Sequence, residues 1–125
     1  MTETDRIWNR GTTDEPGISR YRGDLMLRAM LRAHGLAMNG GVLHAAELLS
    51  TEKRSSAQEG YRFFGLAPLA DLLGRARLLF EAGEDLGSHE AQLDAEYAAI
   101  GGDDSVLYER FERHLRSRPS DFAPL

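Results

Sequence analysis

The sequence predicts an all-α protein, a single compact domain of five or six helices, and three observations carry that reading. Apolar residues recur three and four positions apart in four separate stretches, the spacing that lines one face of a helix. Glycine pairs and prolines fall between those stretches, as Gly40-Gly41, Gly101-Gly102 and Pro119 do. No segment alternates apolar and polar side chains as a half-buried strand must. With 125 residues, 42% of them hydrophobic, the chain suits one core and is too short for two.

Residues 1–21 scatter Gly11, Pro16 and Gly17 among charges and are expected to be a flexible lead, pinned by Ile7 and Trp8. The helical domain is expected over residues 22–125. In Arg22-Gly23-Asp24 the aspartate reads as a helix N-cap rather than part of an adhesion motif. A helix follows over Leu25–Met38, with Leu27, Met30, Leu31, His34 and Met38 on one face, and Asn39-Gly40-Gly41 stops it. A short helix from Val42 to Leu49 turns a tight corner, and Thr51–Arg54 reads as a loop.

Ser55 or Ser56, with Gln58 or Glu59 three residues on, offers a capping box for a third helix ending near Gly65 and turning Tyr61 and Phe64 inward. Pro68 fits the first turn of the next helix, whose stripe of Leu69, Leu72, Leu73, Ala76, Leu79 and Phe80 runs to Gly83. Gly74 inside that stripe suggests that a neighbouring backbone comes close. Ser88 would cap a helix bearing Leu93, Tyr97 and Ile100. Asp103 or Asp104 would cap the last, with Leu107, Tyr108, Phe111 and Leu115 inward.

Composition removes several chemistries. Without cysteine there is no disulfide, thiolate zinc site or cysteine nucleophile. The opening MTETDRIWNR has no apolar core and no run is long enough to span a bilayer, so neither a secretory leader nor a membrane anchor is expected, and the expected location is cytoplasmic. A net charge of −5 argues against direct binding of nucleic acid, which needs clustered lysine and arginine. The serines Ser50, Ser55, Ser56, Ser88 and Ser105 all fall at helix boundaries, where capping accounts for them. With no nucleophile elbow and no phosphate loop, neither catalysis nor a cofactor is expected.

The charges are unevenly spread. Between Leu78 and Glu109 there is no lysine or arginine, while Glu81, Glu84, Asp85, Glu90, Asp94, Glu96, Asp103, Asp104 and Glu109 all carry negative charge. Glu90 and Asp94 stand four apart, a like-charge spacing that a helix disfavours. One reading is a solvated face relieved by arginines from other helices. The sharper reading is a partner-binding surface made of Glu81, Glu84, Asp85, Glu90, Asp94, Glu96, Asp103 and Asp104, facing a basic protein. An alternative of another class is a metal-binding helical protein or metal-dependent hydrolase using His34, His44 and Glu47. His89 and His114 read as surface residues. Met26, Met38 and Phe63 are candidates for a homodimer patch.

Several of these pieces occur in a recognisable order: Asn39-Gly40-Gly41 after an apolar helix, Phe63-Phe64-Gly65-Leu66, Leu69 to Phe80, Leu93-Asp94-Ala95-Glu96-Tyr97, and Arg118-Pro119-Ser120-Asp121-Phe122. In that order the chain resembles the bacterial DNA-mimic-protein domain family over about residues 22–122. It departs at Val42, where an aromatic often follows the glycine pair. The resemblance implies a compact helical fold with no established catalytic residues. It further implies an acidic surface able to occupy the DNA-binding face of another protein. An immunity or antitoxin-like inhibitor is a third expectation, which the residues do not separate from the first.

Overall fold

The computed structural model describes residues 1–13, 20–83 and 86–125. Among them are seven α-helices and no strand: α1 (Glu3–Arg10), α2 (Arg22–Gly40), α3 (Val42–Leu48), α4 (Thr51–Phe63), α5 (Ala67–Ala82), α6 (Gly87–Ala99) and α7 (Asp104–Ser117). A 3-10 turn over Pro119–Asp121 follows. No helix among the described residues is long and apolar enough to cross a membrane. The all-α expectation holds, and the count exceeds the expected five or six because the lead contains a helix. Thr2 caps α1 by accepting from the Asp5 amide while Asp5 reaches back to the Thr2 amide, a capping box with aspartate in place of the usual glutamate. Ile7 is buried and Trp8 packs on the core, so this helix belongs to the domain.

Helices α2 to α5 form the inner group, in which α2 lies along α4 and α3 and α4 both pack on α5. Gly60 makes the α2–α4 crossing possible: a methyl there would stand 2.5 Å from the Met26 carbonyl oxygen. The close backbone approach expected at Gly74 is therefore at Gly60, and Gly74 is met by the Gln58 side chain instead. Leu27, Met30, Tyr61, Leu69, Leu72, Leu107 and Phe111 are fully buried. Removing most of one such side chain typically costs about 2–5 kcal/mol.

The chain ends are locked together. Asp24 sits in the first turn of α2, not at its N-cap, which is Tyr21. Its buried carboxylate accepts from Arg10 at 3.2 Å and from the Ala123 amide at 2.7 Å, and Arg10 also donates to the Ala123 carbonyl at 2.8 Å. Gly23 lets the tail pass, since a methyl there would lie 2.7 Å from the Asp121 carbonyl oxygen. Burial raises the Asp24 carboxyl above the ordinary range, against the pull of the Ala123 amide and Arg10.

Other boundaries also differ from expectation. Ser50 caps α4 by accepting from the Lys53 amide, so Thr51–Arg54 is helical and Ser55 and Ser56 lie inside the helix. Ser88 lies within α6, whose N-cap is Leu86. Gly41 and Gly101 take positive φ at the ends of α2 and α6, as their place in the sequence predicts. His114 is not a surface residue; it bonds Asp121 at 2.8 Å and packs against Phe63, Phe64 and Phe122. Of the proposed dimer patch, Met26 is buried, Phe63 is partly buried against the core, and Met38 is exposed.

Candidate functional site

The acidic residues separate into two groups by what their carboxylates touch. Glu81, in the last turn of α5, pairs with Arg77 at 2.7 Å, and Glu96 on α6 pairs with Arg75 on α5. These two are neutralised from the arginine-bearing half of the chain. Glu84 and Asp85 lie outside the described residues. The second group is Glu90, Asp94, Asp103 and Asp104, which have no arginine or lysine partner among the described residues.

Three of those four also serve the fold. Asp94 reaches from α6 to accept from the Val42 amide at 2.9 Å, capping α3 from a distant helix. Asp103 caps α7, accepting from the Val106 amide at 3.0 Å and the Ser105 hydroxyl at 2.6 Å. Those two hydrogen bonds, Ser105 first, hold the Asp103 carboxyl below its ordinary range. Asp104 accepts from His34 Nε2 at 2.7 Å. Glu90 is exposed and has no such task.

Two members of the second group share a hollow, and the other two are their neighbours along the chain. Glu90 stands one turn before Asp94 on the same side of α6. Asp94 and Asp103 border a shallow hollow of about 390 Å³ between the α2–α3 corner and the α6–α7 link. Met38, 61% exposed, is at its lip, and Asp104 adjoins Asp103. Helix α6 buries only Leu93 and Tyr97 of its thirteen residues, so most of its surface is free.

The alternative metal set does not converge. His34 points toward α6 and α7, His44 lies under Gly40 at the corner, and Glu47 is exposed. Among the described residues no three histidine, aspartate or glutamate side chains are placed to hold a metal ion.

A buried chain of polar groups ends on Asp104 and is not evident in the sequence. The Tyr61 hydroxyl lies 2.7 Å from the Tyr97 hydroxyl, which lies 2.7 Å from His34 Nδ1, and His34 Nε2 ends the chain on Asp104. It crosses α4, α6, α2 and α7. In the neutral ring one assignment satisfies every donor: Nε2–H donates to Asp104, Tyr97 donates to Nδ1, and Tyr61 donates to Tyr97. Burial, above all, raises both phenols. Tyr61 and Tyr97 read as core residues from periodicity alone; only a hydroxyl on two inward positions hinted at a network.

Compared with family models, curated proteins and solved structures, the chain matches none.

Proposed function

We propose that this chain is a non-enzymatic protein-binding domain whose contact surface is an acidic rim of Glu90, Asp94, Asp103 and Asp104, of which Asp94 and Asp103 border the Met38 hollow. The observation that carries the reading is the separation just described: among the described residues Glu81, Glu96 and Glu109 of the acidic stretch are matched by arginine, and these four are not. Three of them are held by hydrogen bonds, so little side-chain freedom is lost when a partner arrives. Met38 and the free surface of α6 supply apolar contact beside the charges. The partner is a protein with a basic face, and charge complementarity gives it fast encounter and orientation more than affinity.

A DNA-binding protein is one such partner, in keeping with the family that the sequence resembles. Duplex DNA carries about 18 charges in 30 Å, so four carboxylates imitate only a short part of it. The rim therefore acts as a partial mimic at most.

The test is capture from a native lysate by wild type and by E90Q/D94N/D103N/D104N. The amides keep acceptors for Val42, Val106 and His34, so the charge is lost while the caps remain. Proteins with arginine- and lysine-rich surfaces should be retained by the wild type and lost by the variant. Identical retention by both proteins removes the proposal.

A further inference from the structure

A second concavity, of about 600 Å³, opens between α1, α2 and the start of α7, and it has a different character. Trp8, Leu31, Gly35 and Tyr108 supply apolar walls, and His34 and Asp104 lie at its polar end. The volume is in the range of small-ligand sites, where mostly apolar walls surround a few fixed polar groups.

We propose that this cleft binds a small organic ammonium ion through the Asp104 carboxylate, with the organic part against Trp8 and Tyr108. Three observations support the assignment. The aromatic wall is set before any ligand arrives: Trp8 and Tyr108 meet edge to face at 5.1 Å, and the Tyr108 hydroxyl is tied to Asp5 at 2.7 Å. The carboxylate is set as well. Asp104 has an 84% exposed side chain, yet its direction is fixed by His34, which is itself fixed by the buried Tyr97 and Tyr61. An exposed surface carboxylate gains little stability from such support, whereas a binding group gains a fixed position. Among the described residues lining the cleft there is no arginine or lysine, and Asp103 precedes Asp104 in the chain, so the polar end of the cleft favours a cation. Aromatic faces favour the same charge.

The chain has a single tryptophan, so its fluorescence reports on this cleft. Purified protein is titrated with 2-phenylethylamine and, separately, with 2-phenylethanol, a neutral molecule of the same shape. The amine should give a saturable change and bind on the order of tenfold more tightly than the alcohol, as a charge-assisted hydrogen bond allows. Asp104→Asn keeps an acceptor for His34 and should remove that preference while leaving the weak response to the alcohol. Far-ultraviolet circular dichroism checks that the variant is folded, and proton chemical shifts of the Trp8 indole provide a second readout. No saturable response to the amine, equal affinity for amine and alcohol, or an unaltered preference in Asp104→Asn overturns the proposal.

Discussion

His34 Nε2 lies 2.7 Å from an Asp104 oxygen, so a ring buried on α2 holds a carboxylate that stands in solvent on α7. The contact joins the interior of the protein to its solvent-exposed surface. Through Nδ1 the same ring reaches Tyr97 and, beyond it, Tyr61, so four helices share one line of hydrogen bonds. Such networks are costly when broken in the middle, because each remaining group is buried without a partner.

That asymmetry gives an ordering. Tyr61→Phe removes the terminal donor and leaves only an unfilled acceptor on Tyr97, an expected cost of about 1 kcal/mol. Tyr97→Phe strands both the Tyr61 hydroxyl and His34 Nδ1, and the expected cost is about 2–4 kcal/mol, roughly 1–3 for a buried unpaired group and somewhat more for two. Urea unfolding of the two variants decides it. Equal losses would mean that the hydroxyls do not act as a chain.

Two glycines of the inner helices should respond in opposite directions. Gly60→Ala pushes a methyl onto the Met26 backbone and should lose about 1–3 kcal/mol through separation of α2 and α4. Gly35→Ala meets nothing within 4 Å in mid-helix and should gain up to about 1 kcal/mol. Thermal midpoints measured side by side test the pair, and a stabilised Gly60→Ala would contradict the packing.

Asp94→Ala removes the cap on α3, with an expected loss of about 1 kcal/mol, and should speed hydrogen exchange at the Val42 amide. Asp94→Asn keeps the acceptor and should leave that amide protected. An unprotected Val42 amide in wild type would show that the bond does not persist in solution.

The Tyr108–Asp5 hydrogen bond predicts part of the acid response. Tyr108 and Thr2 hold the Asp5 carboxyl below its ordinary 3.8, and Tyr108 is pushed up to about 12 by the same bond. A depressed carboxyl adds stability that is fully present above the unfolded value and lost as pH falls through the folded one. Urea midpoints at pH 5 and pH 3 should therefore differ less in Tyr108→Phe than in wild type. A difference of the same size in both would remove Asp5 from the account.

The helical stripes were legible because their spacing survives folding: Leu69 to Phe80 and Leu107 to Leu115 form α5 and α7 much as their periodicity predicts. Helix α1 was hidden because it is eight residues long and buries only Ile7 and Arg10, too few positions to establish a period. Ser55 and Ser56 drew the start of α4 too late because Ser50, one turn before Arg54, does the capping. At the acidic stretch the sequence shows the charges and one local partner, since Arg77 stands four before Glu81 on α5, but not the partners that come from another helix. Arg75 sits one helix away, and the α5–α6 packing decides that Glu96 finds it and Glu90 does not. The Tyr61–Tyr97–His34 line needs three helices brought together, which no local pattern records.

The protein-binding reading meets its most direct test in the salt dependence of the captured partner's affinity, measured by calorimetry at about 50 and 300 mM salt, near and well inside the screening range of exposed charges. Wild type should weaken steeply as salt rises, and E90Q/D94N/D103N/D104N should bind weakly at both with little change between them. An affinity that ignores salt, or a variant that follows the wild-type curve, would contradict the claim that the four unmatched carboxylates make the contact.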